Sequence, residues 1–398
     1  MKKALALLLA ATMTAGVLAG CGGSNNDTTS GGGGSSTTGG GMEGAHVFMF
    51  KSAGNHFGEL MYDGFEAYIK AQGGTAQEKS PAQPTVADQV KLIEECVTQK
   101  IASLTISANS DTGYDEVFKK CEEAGIKVVS VDSEIAPEFR ITHINQASSA
   151  DVGAYLVRSA TLIALGKEYS EDMEEDGMEA AVTEALSSYS GDELKFGVLS
   201  AAVDTPVQNG WIADMEKELS KDMYKGKVSA ELDKKYGNDD PTISTTQANA
   251  FVSENKVDVI ISPTTVGISA AGATLSTANV DIKLTGLGLP SEMSKYCPQS
   301  KDDNASEFVC PWMMLWDVVD QGAMAAAAAY AAVKDGYTGE EGSTFVKAAY
   351  SVDINGTKLD YDEVTYTTEA APSGDGTIAT LGAPTVWWKG NMETYSFL

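Results

Sequence analysis

The sequence predicts an α/β protein made of two doubly wound parallel-sheet lobes joined by a multi-stranded hinge. Three observations lead there. From His46 onward, short apolar runs alternate with amphipathic helical stretches, the pattern of a parallel sheet covered by helices on both faces. The alternation runs through two sets of similar size, separated by an acidic, polar stretch at 167–193. Beyond Gly336 the chain turns to β-formers and turn residues with little helical period, which reads as the chain finishing across one lobe and the hinge.

In the first set, "HVFMFK" (46–51) reads as a strand and 55–72 as a helix. Residues 86–100 form a second helix, with Val86, Val90, Ile93 and Val97 on one stripe. Strand 101–107, helix 112–124 and strand 128–133 complete it. A helix at 148–165 opens the second set, followed by strand 195–200, helix 207–220, a strand near 228–232, helix 241–254, strand 257–263, helix 266–278 and strand 282–288. The 167–193 stretch reads as a solvated insertion. The alanine-rich 315–336 has high helix propensity and ends at Gly336, a natural left-handed cap.

Ahead of the folded body, Lys2 and Lys3 precede the apolar run "ALALLLAATMTAGVLAG", too short to span a bilayer comfortably. Residues 1–20 are therefore expected to be an export signal. Residues 22–41, "GGSNNDTTSGGGGSSTTGGG", hold nothing apolar to bury and read as a flexible tether spanning roughly 25 Å. The chain carries 28 basic against 56 acidic residues, net charge −28, which argues against nucleic acid and against adhesion of the folded body to anionic lipid. Beyond Cys21 there are four cysteines. Cys96 and Cys121 lie in helical patterns and read as small core residues; Cys297 and Cys310 bracket a polar loop and are a possible disulfide, the alternative being two free thiols.

The chemistry of an enzyme is missing from the pattern. There is no G-x-S-x-G elbow, Walker loop, H-E-x-x-H or EF-hand loop, and no Cys/His metal spacing. His46, His56 and His143 are scattered, and "GLGLPS" (286–291) lacks the long helix and distant acid of a dinucleotide site. What remains are polar residues at the carboxyl ends of strands: Lys51, Asp132, Gln208 just inside a helix, Thr264, Thr265, and the adjacent Gly288. In open parallel sheets that edge binds ligands, and two facing lobes set two such edges across a cleft. Taken singly, Asp132 also reads as a turn cap, Lys51 as a surface charge and Thr264 as a helix N-cap; their shared topology favours binding.

Several stretches carry a family resemblance: "VDSEIAPEFRITHINQ" (131–146), "GNDDPTISTTQA" (237–248), "ISPTTVGISAAG" (261–272), "LTGLGLPSEM" (284–293), "LWDVVDQGA" (315–323) and the aromatic run around "VWWKGNMETYSF". From about 45 to 398 the chain resembles the sugar-binding proteins of ABC importers in the ribose-binding superfamily (periplasmic binding protein type 1), within the branch of rhamnose and autoinducer-2 receptors. "PTTVG" with "TGLGLPSEM" looks most like the rhamnose receptors. "LAGC" (18–21) resembles a bacterial lipobox, whose cysteine is lipid-modified; Cys21 would then anchor the protein outside the cytoplasmic membrane.

The resemblance implies a pocket of Lys51, Asn55, Phe57, Asp132, Gln208, Asn209, Pro263, Thr264, Thr265, Gly288 and Trp316. Such a set suits a sugar, since carboxylates and amides bond vicinal hydroxyls and an aromatic face covers the apolar side of the ring. It also implies no catalysis, no cofactor and no metal, a monomer, and an ABC permease with its ATPase as partner. Lobes are expected at 43–146 plus 316–347 and at 147–315 plus 348–398, with hinge segments near 145–148, 289–316 and 345–352. Where the autoinducer-2 receptors have an aspartate before the glutamine, this chain has Val207; Val207 or Val266 would instead cover the methyl of a deoxyhexose such as L-rhamnose. Alternatives are an autoinducer-2 or pentose receptor, or a sensor whose closed form engages a membrane kinase or chemoreceptor. A cytoplasmic repressor is disfavoured by the export signal, and a glycosidase by the want of a distinct carboxylate pair.

Overall fold

The computed structural model describes residues 44–173 and 177–395; the predicted export signal, Cys21 and the tether lie outside the described residues. The first lobe starts with β1 (His46–Met49), α1 (His56–Ala71), β2 (Ala76–Glu78), α2 (Val86–Thr98), β3 (Ser103–Ile106), α3 (Asp115–Glu123), β4 (Lys127–Val131) and β5 (His143–Asn145). The second contains α4 (Ser149–Ala164), α5 (Gly177–Ser188), β6 (Phe196–Ser200), α6 (Pro206–Leu219), β7 (Asp233–Tyr236), α7 (Pro241–Glu254), β8 (Val259–Ser262), α8 (Thr265–Leu275), β9 (Lys283–Gly286) and the short α9 (Pro290–Met293). After β10 (Met313–Leu315), α10 (Val318–Lys334) returns to the first lobe. The tail then runs through β11 (Thr344–Lys347), β12 (Tyr350–Ile354), β13 (Thr357–Tyr361), β14 (Val364–Thr367), β15 (Glu369–Ala370), β16 (Thr377–Thr380) and β17 (Thr385–Trp387).

The first sheet has the order β15-β16-β5-β4-β3-β1-β2 and the second β7-β6-β8-β9. All pairs are parallel except β15 with β16, so the expected α/β architecture with two parallel-sheet lobes is present. The strands β1, β3, β6 and β8 are buried along their whole length, as a sheet covered on both faces requires.

Four sequence expectations change. The second-set strand lies at 233–236, not 228–232, where Val228 forms only an isolated bridge to Leu194. As an edge strand, β7 tolerates the charged run "DKKY", with Lys235 paired to Asp233 and Glu254. The polar 167–193 stretch contains α5, which buries Met178, Val182, Ala185 and Leu186. The tail does not pass to the second lobe at 348: β16 pairs with β5, Ile378 opposite His143, so the first sheet is completed near the end of the chain. The lobes are joined at residues 146–148, 316–317 and 381–384, and the third crossing therefore replaces the one expected at 345–352. Finally, Cys297 and Cys310 are free and fully buried; Cys310 Sγ donates to the Trp312 carbonyl at 3.7 Å rather than closing a bridge.

Helices α1 and α10 pack at backbone contact. A methyl group on Gly64 would stand 1.8 Å from the Val319 carbonyl oxygen, and one on Gly322 would stand 1.8 Å from that of Met61. The alanines of α10 keep the rest of its surface low enough to be buried between α1 and the sheet. Gly322→Ala is expected to lower stability by about 1–3 kcal/mol, a drop of several degrees in thermal midpoint by calorimetry.

His46 and His143 are both buried against serine hydroxyls, at 2.7 Å from Ser103 and 3.0 Å from Ser130. Burial pushes each imidazole down to about 4. The unfolded chain takes up these protons at higher pH than the folded one, so the stability they contribute is complete above about pH 6.5 and is lost as pH falls toward 4. His143→Gln is expected to show a shallower fall of the urea midpoint between pH 7 and 5 than the parent protein.

Candidate functional site

The carboxyl ends of both sheets open on one cavity. From the first lobe, Phe50, Lys51, Asn55 and Phe57 follow β1, and Asp132 follows β4. From the second, Gln208 and Trp211 lie at the start of α6, Asp239 follows β7, Pro263 to Val266 follow β8 and Leu287 follows β9. Leu315 and Trp316 enter where the chain crosses between lobes.

Asp132 carries the polar centre on the first lobe. Its backbone is left-handed, with φ of 60°, an uncommon state for a non-glycine residue that aims the side chain off the strand direction. Its Oδ2 accepts from Lys51 Nζ at 2.9 Å, Ser107 Oγ at 2.8 Å and Ser133 Oγ at 3.4 Å. The pair is sheltered, with side-chain exposures of 17% for Lys51 and 8% for Asp132, so each charge depends on the other. The Asn109 amide holds the Lys51 carbonyl at 2.9 Å, fixing the turn that presents the lysine. Asn55 has a local task as well: Oδ1 accepts from the Gly58 amide at 3.3 Å, capping α1.

The apolar wall is aromatic and spans the lobes. Trp316 meets Phe57 edge-on at 6.1 Å and Trp211 at 5.9 Å between centroids. Its indole Nε1 donates to Gln321 Oε1 at 2.8 Å, and Gln321 Nε2 donates to Gln146 Oε1 at 3.3 Å, so two of the three crossings are tied by buried side chains. On the opposite side Gln208 is 7% exposed, and its Oε1 has no hydrogen-bond partner among the described residues, a costly state that a ligand donor would relieve.

Nine of the eleven sequence-predicted residues surround this cavity: Lys51, Asn55, Phe57, Asp132, Gln208, Pro263, Thr264, Thr265 and Trp316. Asn209 and Gly288 do not line it. The Asn209 side chain turns back to the Val203 carbonyl at 2.8 Å, bracing the loop before α6. Gly288 packs behind the wall, where a methyl group would stand 2.6 Å from Met313 Sδ. Of the two valines considered for an apolar contact, Val266 lines the cavity and Val207 does not. Phe50, Trp211, Asp239, Leu287 and Leu315 join from positions the sequence did not single out. Among the described residues no cluster of three or more His, Cys, Asp or Glu is arranged to hold a metal ion.

The model of the periplasmic binding protein domain matches residues 46–338. The chain belongs to that family. Its members bind substrates extracytoplasmically rather than transform them, and as solute-binding proteins of ABC transporters they work with a membrane permease. An ABC transporter solute-binding protein from Clostridium phytofermentans with bound L-rhamnose is 28% identical, covers 89% of this chain and 98% of its own, and superposes with a TM-score of 0.70. A sugar ABC transporter protein from Actinomyces odontolyticus is 26% identical over 89% of this chain and 98% of its own, TM-score 0.62. LsrB from Clostridium saccharobutylicum in complex with AI-2 shares the fold at 20% identity, 88% and 99% coverage and TM-score 0.69. Among the described residues no helix is long and apolar enough to cross a membrane.

The Lys51–Asp132 pair gives a test independent of any ligand. Lys51→Met leaves a sheltered carboxylate without its cation and is expected to lower stability by about 1–3 kcal/mol in urea unfolding. The double variant Lys51→Met/Asp132→Asn is expected to fall by less than the sum of the two single losses.

Proposed function

We propose that this protein is the substrate-binding lipoprotein of an ABC sugar importer, capturing L-rhamnose or a related deoxyhexose and delivering it to a membrane permease. The observation that carries the reading is the composition of the cavity. The Lys51–Asp132 pair and Gln208 offer charged and neutral hydrogen-bonding groups suited to ring hydroxyls. Trp316, Trp211 and Phe57 offer faces and edges for the apolar side of a pyranose, and Val266, Leu287 and Leu315 offer apolar lining suited to a methyl group. A hydroxymethyl group set against that lining would bring a hydroxyl against carbon and lose its hydrogen bonds to water. The rhamnose-bound relative supports the same choice, while the apolar Val207 argues against autoinducer-2.

Capture proceeds by lobe closure. The sugar favours the closed form by the difference in its affinity for the two forms, because residues from both lobes reach it only when they are brought together. Rotation is taken up at 146–148, 316–317 and 381–384. Closed lobes then present a composite surface to the permease, and the lipid on Cys21 with its tether keeps the monomeric receptor close to it. The lining and the Cys21 anchor are part of this proposal.

Isothermal titration over pentoses, hexoses, 6-deoxyhexoses and autoinducer-2 tests it. L-Rhamnose is expected to bind with a dissociation constant near or below ~1 μM, with a smaller radius of gyration in scattering when bound. Autoinducer-2 binding much more tightly than L-rhamnose, or turnover of any sugar, overturns the reading.

A further inference from the structure

The cavity has a second carboxylate, on the second lobe, in the stretch "GNDDPTISTTQA" but outside the set of expected pocket residues. Asp239 sits between β7 and α7 in a turn stitched to the sheet: the Gly237 and Asn238 amides donate to the Ser200 and Ala201 carbonyls at 2.8 and 3.2 Å. Asn238 and Asp239 are both left-handed, with φ of 54° and 50°. Two successive left-handed residues are uncommon, although Asn and Asp adopt that region more readily than other side chains do. Capping does not explain it, since the neighbouring Asp240 caps α7, accepting from the Thr242 and Ile243 amides at 2.8 Å each. Asp239 instead lines the cavity, where its Oδ1 accepts from the hydroxyl of the buried Thr264.

Charge then distinguishes the two carboxylates. Asp132 is matched by Lys51 at 2.9 Å, whereas among the described residues no cation lies within ion-pair distance of Asp239. The cavity therefore carries a net negative charge, and the unpartnered Gln208 Oε1 adds another acceptor. Such a site takes ligands that donate hydrogen bonds and opposes those that bring a negative charge.

Building on the sugar-receptor reading, we infer that Asp239 is a specificity-determining residue: it accepts a hydrogen bond from a hydroxyl of a neutral monosaccharide and excludes uronates and sugar phosphates. It supplies from the end of β7 the second-lobe carboxylate that the chain lacks at Val207.

The test is titration calorimetry of the purified protein and its Asp239→Asn and Asp239→Ala variants against L-rhamnose, D-galactose and D-galacturonate. The parent protein is expected to bind L-rhamnose and to show no heat with D-galacturonate. Asp239→Ala is expected to weaken L-rhamnose by about 10- to 100-fold. Asp239→Asn, which keeps the shape and one acceptor, is expected to weaken it less and to bring the uronate within measurable range. That change in the neutral-to-acid ratio separates a ligand contact from mere support of the turn, which would weaken all ligands alike. L-Rhamnose binding within twofold of the parent in Asp239→Ala, or equal affinity of the parent for D-galacturonate and a neutral sugar, overturns the inference alone. A parent protein silent toward every neutral sugar overturns the sugar-receptor reading and this inference with it.

Discussion

The contact on which the binding cleft depends is the backbone approach of α1 and α10. With Gly64 against the Val319 carbonyl and Gly322 against that of Met61, the two helices lie closer than any pair carrying larger side chains at those positions allows. Both begin at the cleft, where Phe57 in the first turn of α1 meets Trp316, two residues ahead of α10. At the far end the Tyr330 hydroxyl reaches the Gln72 carbonyl at 3.3 Å. Fixing α10 in this way fixes the crossing that precedes it, and with it the tryptophan whose ring stands between the lobes.

Around that frame the polar groups are divided by how much freedom each needs. Lys51 and Asp132 neutralise one another and are supported by two serine hydroxyls, an arrangement that costs little reorganisation when a hydroxyl arrives. Gln208 and Asp239, by contrast, come from the lobe across the cleft and keep acceptor capacity in hand. Removing water around them strengthens whatever hydrogen bonds they then make, so closure and binding reinforce each other. The aromatic trio gives non-directional contact area, while the acceptors select orientation.

Much of this was legible in the chain itself, because helices α1, α2 and α7 carry clear apolar stripes or caps and β6 and β8 are largely apolar runs. The failures have physical causes. The edge strands β2 and β7 are short and polar, so burial leaves no period in them. Asn209 adjoins Gln208 in sequence, yet one residue along a helix is a turn of about 100°, which carries its amide away from the cavity. Trp211 is the reverse case: three positions on, it returns to the face of Gln208, a spacing visible in "QNGW" once the helix start is known. Asp239 lies in the quoted stretch 237–248, but nothing local marks it as a cavity residue, because its place depends on Thr264, which belongs to a different strand end.

The position of β16 beside β5 bears on when the first lobe can finish folding. The first lobe's sheet is closed only by residues 377–380, and α10, which covers it, begins at Val318. No prefix of the chain that stops short of these segments contains a finished lobe. The first lobe thus withholds its own completion until nearly all of the chain has been synthesised, and the ordering of its strands alone imposes that delay.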